Sequence, residues 1–258
     1  MSIIIYGGFL SRKPLILLLP FLALLAGCAT ANVYDNVLLP VNLSREGDKV
    51  YAAGGYGSNG FGFNAGLPIM PPVQVAVTLQ KNYTEGDKNL PQPGFDPRSY
   101  SNSHTSEVYE IMAGPYFEPS ENQILELFAG TGKGKGEDYV YTPEFVDFKG
   151  KTVLKSAKAT YEKLFLQLNV GKRNNFTAYG IAVRWNQITF SDYEETHSIR
   201  GVEYSGSPEG QLWEMTFFGR AGGENVKFGF MTTFSFSRDK LKFNFPSFTY
   251  AGMISLVL

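Results

Sequence analysis

Over long stretches of this chain, apolar and polar side chains trade places at every residue. Val73, Val75, Val77 and Leu79 share one side of an extended backbone, and Gln74, Ala76, Thr78 and Gln80 share the other. Leu164, Leu166, Leu168 and Val170 oppose Lys163, Gln167, Asn169 and Gly171, with Phe165 breaking the pattern. Tyr179, Ile181, Val183 and Trp185 oppose Gly180, Ala182, Arg184 and Asn186, and Trp213, Met215 and Phe217 oppose Glu214, Thr216 and Arg220. Val226, Phe228, Phe230, Phe234 and Phe236 oppose Lys227, Gly229, Thr233, Ser235 and Ser237, and the chain ends with Phe248, Tyr250, Ile254, Leu256 and Leu258 against Thr249, Ala251 and Ser255. A period of two marks strands with unlike faces.

Weaker strands complete the set. Residues 50–56 and 61–67 flank Gly57-Ser58-Asn59-Gly60, whose Asn-Gly pair is a hairpin signal, and residues 107–117 and 123–132 flank a short turn. The reading is an all-β, antiparallel, up-and-down barrel of ten strands, with eight as the alternative. The strands start near residues 49, 61, 73, 107, 123, 160, 176, 211, 226 and 247.

Alternation does not say which face points inward. A soluble barrel buries its apolar face, whereas a membrane barrel turns it outward to lipid. Three features favour lipid. The non-apolar face is rich in Gly, Ala, Ser and Thr, which suits a crowded interior. The strands read as long, and membrane strands need about 9–11 tilted residues. Aromatics gather near strand ends, at Tyr116 with Phe117, Tyr139 with Tyr141, Phe190 with Tyr193 and Phe248 with Tyr250, as interface girdles would.

Connection lengths point the same way. Short turns around Met70, Pro119, Arg173 and Gly223 alternate with long polar stretches at 84–106, 133–159 and 191–210, and a moderate one at 238–246. Short turns at one end and long loops at the other are the outer-membrane pattern, and an even strand count places both termini on the short-turn, periplasmic side.

Composition narrows the options. With 21 Phe, 15 Tyr, 2 Trp and 28 Gly the chain favours strands and turns, and a net charge of −1 gives no electrostatic case for nucleic acid. The seven charged residues on the presumed inner faces are Glu110, Glu126, Lys163, Arg184, Glu214, Arg220 and Lys227. Their mixed signs predict a lumen network of ion pairs and hydrogen bonds. Ten strands are too few for an open porin, so the barrel is expected to be plugged.

Ahead of the barrel, Arg12, Lys13, an apolar run over residues 14–26 and a small-residue end have the parts of a signal peptide. The run is shorter than the ~20 residues of a spanning helix and contains Pro20. Leu25-Ala26-Gly27-Cys28 resembles the lipobox of bacterial lipoproteins, and Cys28 is the sole cysteine. That resemblance implies a signal peptide over residues 1–27, cleavage before Cys28, a covalent lipid on its thiol and handling by the lipoprotein-sorting machinery. Ala29 and Thr30, which follow, favour the outer membrane. Residues 28–48 read as a linker and 49–258 as the barrel.

The glycine and aromatic patterns Tyr51-Ala-Ala-Gly-Gly-Tyr-Gly-Ser-Asn-Gly-Phe61 and Leu127-Phe-Ala-Gly-Thr-Gly-Lys-Gly134 resemble small outer-membrane β-barrel proteins of Gram-negative bacteria. The resemblance implies barrel-assembly machinery and membrane lipids as partners, and no cofactor or metal.

Candidates for chemistry are few. His104 and His197 fall in expected outer loops, the second with Asp192, Glu194 and Glu195 nearby. A histidine among acids at a barrel rim is similar to the omptin proteases or the barrel acyltransferases, but no motif of either is matched, and the expectation is no enzyme. The run Thr131-Gly-Lys-Gly-Lys-Gly136 lacks P-loop spacing and reads as a strand end entering a loop. Basic patches at 149–158 and 238–242 read as solvated, or as contacts to anionic headgroups. The expected role is a lipid-anchored integral outer-membrane barrel with a structural or surface-interaction function. A tethered, lipocalin-like soluble barrel binding an apolar ligand is the alternative, and it requires Leu164, Leu166 and Phe228 inside.

Overall fold

Eleven strands follow one another along the chain: β1 (Tyr51–Gly57), β2 (Gly60–Met70), β3 (Val73–Asn89), β4 (Ser99–Ser120), β5 (Gln123–Thr142), β6 (Thr152–Arg173), β7 (Thr177–His197), β8 (Val202–Gly206), β9 (Glu209–Gly222), β10 (Val226–Phe236) and β11 (Phe248–Val257). The computed structural model describes residues 33–39, 43, 50–89, 99–142, 152–197, 202–238 and 245–258. The stretches read as a signal peptide and a lipobox, with Cys28, lie outside the described residues.

Every described pairing is antiparallel, and all but two join neighbours in the chain: β7 also pairs with β9, and β1 meets β11 through Tyr51↔Val257 to Gly57↔Ala251, which closes the barrel. β8 and β9 both pair with β7, the first along Tyr193–His197 and the second along Thr177–Thr189, so they act as one interrupted strand in a ring of ten. The interruption falls at Pro208, which has no N–H to give, and its carbonyl accepts from the Phe190 amide at 2.9 Å. Opposite it, Asp192 takes a left-handed φ of 53° beside a register shift between Lys158 and Thr160. The β1–β2 hairpin turns on Ser58-Asn59, between the paired Gly57 and Gly60, with Gly60 at a φ of 79° that a side chain would resist.

The faces are inverted relative to a soluble protein. Leu164, Leu166 and Phe228 are 61, 53 and 62% exposed, while Arg184 and Glu214 are fully buried. The lipocalin-like alternative needed those apolar side chains inside, and they point outward. Phe165, the break in the alternation of β6, points inward with the Arg184 guanidinium 4.1 Å above its ring.

Several expected loops are strand. β3 runs to Asn89, β4 begins at Ser99, β5 reaches Thr142 and β6 starts at Thr152, so the stretches read as long loops shrink, while staying longer than the turns at the other end. The reason is that β3 to β7 continue as a tall polar wall. There the outward residues are charged and pair across strands, giving no apolar alternation to read. Lys81 and Lys135 both reach Glu107, at 2.8 and 3.0 Å, and Lys133 meets Glu162 at 2.7 Å and Lys158 meets Glu137 at 3.2 Å. Two expected girdle pairs are also placed differently. Phe190 and Tyr193, in the wall, are buried inside and stack edge-on, and at the short-turn end Tyr116 is buried while Phe117 faces out.

Candidate functional site in the barrel lumen

The seven charged residues read from alternation are all buried on the inner wall. Arg184 on β7 reaches across the lumen to Glu110 on β4, its Nη1 2.8 and 2.9 Å from the two carboxylate oxygens. Lys163 on β6 donates to the same carboxylate. Arg184 also donates through Nε and Nη2 to Gln167 Oε1, at 2.8 and 2.6 Å. From Gln167 the chain of bonds continues to Asn169 (2.8 Å), on to Glu126 (2.8 Å), and Gln74 donates to the other oxygen of Glu126 at 3.0 Å. Buried charges of mixed sign are tolerable only when paired and hydrogen-bonded in this way.

Of the remaining three, Glu214 joins the network through Tyr34, and Arg220 and Lys227 are held elsewhere on the wall. Arg220 bonds the Tyr51 hydroxyl at 2.5 Å between the Tyr51 and Phe218 rings. Lys227 caps the short turns, donating to the carbonyls of Asn175, Gly223 and Glu224 at 2.7, 2.9 and 3.1 Å. Glu214 accepts from the Tyr34 hydroxyl at 3.2 Å.

Tyr34 belongs to the stretch read as a linker. Residues 33–39 and Leu43 are buried inside the barrel. At the end of the long connections, the Val33 backbone occupies the space that a Cβ on Gly136 would need. Asp35 receives Asn82 Nδ2 at 3.0 Å and the Ser106 hydroxyl, and lies 2.8 Å from His104 Nε2. Lower down, the Asn36 carbonyl accepts from Asn59 and Gln80 at 2.9 and 2.8 Å, and the Leu38 amide donates to Gln80 Oε1 at 2.8 Å. Leu38 fills the space left by Gly62, and Leu43 lies against Gly171 at the short-turn end, its carbonyl held by Arg173 at 2.8 Å. Tyr34, midway, stacks on Tyr161 at 5.2 Å and accepts from Lys163 at 3.4 Å.

This corrects the placement of His104, which lies within β4 and faces the lumen rather than an outer loop. His197 ends β7, and its side chain is outside the description. Residues Thr131–Gly136 are interior to β5 rather than a loop entrance. Asp35, His104 and Ser106 are the residue types of a hydrolytic triad, but a triad needs the hydroxyl on the imidazole. Here hydroxyl and imidazole both point at the carboxylate. Burial pushes the Asp35 carboxyl up, and the hydrogen bond and charge of His104, with Ser106 and Asn82, overcome that and hold it below the usual carboxylate range.

Tyr34, Asp35, Asn36 and Gln80 were not singled out by the sequence reading. One signal bears on the segment: of the four glycines at successive inward positions of β5, Gly136 faces the Val33 backbone, whereas Gly130 and Gly134 make room for the Phe165 and Tyr161 rings.

No family model and no curated protein matches this chain. Among solved structures it is similar to the outer membrane protease OmpT from Escherichia coli, at 6% identity and a TM-score of 0.46 over 81% of this chain and 90% of that one. It is also similar to Acinetobacter baumannii CarO2 (10% identity, TM-score 0.33, 81% of this chain and 98% of that one). The translocator domain of autotransporter NalP from Neisseria meningitidis gives 10% identity and a TM-score of 0.33, over 81% of this chain and 85% of that one. Similarity this low leaves the function to the chain's own residues.

Proposed function

We propose that this protein is an integral outer-membrane β-barrel with a closed lumen, held additionally by a lipid on Cys28, and that its role is structural or surface-interacting rather than enzymatic or porin-like. The observation that carries the reading is the outward face. Val73 to Leu79 on β3, Tyr109 to Phe117 on β4, Leu164 to Val170 on β6 and Tyr179 to Trp185 on β7 present an apolar band. That band gives way on β3 to β6 to the row of paired charges at Lys81, Glu107, Lys133 and Glu162. Along β6 the outward charges Glu162 and Lys172 bound the band, and the ten residue steps between them, about 3.3 Å each at a tilt of about 40°, rise about 25 Å, the height of a membrane barrel's apolar belt. Exposing such a belt to water would be costly, whereas acyl chains cover it at no cost in hydrogen bonds.

The closed lumen rests on residues 33–39 and the charge network filling the barrel axis. The lipid rests on the lipobox resemblance alone, and labelled fatty acid incorporation lost in Cys28→Ala tests it. The reading calls on membrane lipids and the barrel-assembly and lipoprotein-sorting machinery as partners, and on no cofactor. A heat-modifiability gel tests the membrane reading: a shift in apparent mass between unboiled and boiled samples, with resistance to carbonate extraction, is expected. Release by carbonate once the tether is cut overturns it. In planar bilayers, large and stable single-channel conductance overturns the closed lumen.

A further inference from the structure

We infer that the lumen is a binding site for an extended polypeptide, occupied by residues 33–39 and Leu43 of the same chain, which enters at Val33 from the long-connection end, on the opposite side of the barrel from the C-terminus. The membrane reading enters only in deciding which side each end faces.

Three observations carry it. The first is direction. Val33 sits at Gly136, beside the charged rows above the apolar band, whereas Leu43 sits at Gly171 and Arg173 beside the short turns. Val50 then pairs with the C-terminal Leu258 at that same short-turn end, at 3.0 and 2.9 Å. The segment therefore descends the barrel before β1 begins. An even strand count places the two ends of the barrel sheet together, but it does not govern a segment that runs through the inside.

The second is shape. The inner wall is cut to admit a backbone. A Cβ on Gly136 would overlap the Val33 backbone, and one on Gly62 would overlap Leu38. Residues with side chains at these positions would fill the axis themselves, and none do. The third is polarity. Buried backbone groups need partners, and the wall supplies them through side chains: Gln80 both donates to the Asn36 carbonyl and accepts from the Leu38 amide, at 2.8 Å each. The Asn36 side chain is itself held, donating to the Ser235 hydroxyl at 2.6 Å and the Pro246 carbonyl at 3.1 Å. Such two-way bonding between a side-chain amide and a strand is how a wall reads an extended peptide without a free sheet edge.

The test places the same short protease site at three points, one per variant: between Ala31 and Asn32, in the β1–β2 turn after Ser58, and in the β4–β5 turn after Glu121. Each is digested in intact and in permeabilised cells. The first site is expected to follow the Ser58 site. Cleavage that follows the Glu121 site overturns the threading, as does resistance of the first site in both conditions. If the Ser58 and Glu121 sites are cut alike, the membrane reading fails instead. The threading is then decided by the double variant Asn36→Cys with Ser235→Cys, expected to form a disulfide under mild oxidant; its absence in the folded chain overturns the inference.

Discussion

Arg184 and Glu110 meet across the barrel axis, on strands separated by two others, with one guanidinium nitrogen within 2.9 Å of both carboxylate oxygens. Lys163 donates to the same carboxylate, so Glu110 balances two buried cations. Removing Glu110 leaves both uncompensated, which costs about 3–5 kcal/mol. Glu110→Leu is therefore expected to lower the temperature at which the barrel loses its unboiled mobility, and by more than Arg184→Met, which leaves Glu110 paired with Lys163. Adding Arg184→Met to Glu110→Leu removes one of the two stranded cations and is expected to recover part of the loss.

Leu166 and Thr160 both face outward on β6, the first within the apolar band and the second above it. An arginine near the middle of the band costs about 2–4 kcal/mol and little near the interface. Leu166→Arg is expected to fold poorly into lipid vesicles, while Thr160→Arg folds as the unaltered chain does. Equal folding of the two would remove the basis for placing lipid against β6.

Gly136 faces the Val33 backbone. Valine is a better strand residue than glycine, so Gly136→Val does not weaken the wall. Its side chain takes the space of the segment, an overpacking that typically costs about 1–3 kcal/mol. The expected outcome is an intact barrel whose N-terminal segment becomes sensitive to added protease, measured by mass after digestion in detergent.

Asp35 lies above the apolar band, among Asn82, His104 and Ser106. Its carboxyl is held below the usual carboxylate range in the folded chain. A depressed carboxylate adds stability that is complete above its unfolded pKa and is lost as pH falls through the folded one. Protease sensitivity of the segment is expected to rise as pH falls below about 4. In Asp35→Asn that rise disappears.

Much of the barrel was legible along the chain. Alternation at Leu164 to Val170 and at Val226 to Phe236 located strands, and the charges opposite them were located too, because a strand's two faces are set by neighbours one residue apart. The upper halves of β3 to β7 were not legible. Runs such as Thr105, Glu107 and Lys135 carry no hydrophobic contrast, and what keeps them extended is pairing with another strand, as Glu107 does with Lys81 and Lys135. His104 was misplaced for the same reason. The segment at 33–39 was least legible, since it has no period and its partners are far along the chain, such as Ser235 for Asn36.

By itself, then, the order of residues determined that the chain makes paired strands, roughly where they lie, and which side chains share a face. Only the closed structure decided that the apolar faces look outward, and that the axis holds a backbone as well as charges. Local periodicity records what each residue's near neighbours require. Which face is enclosed, and what fills the enclosure, depends on contacts that exist only after the first strand has met the last.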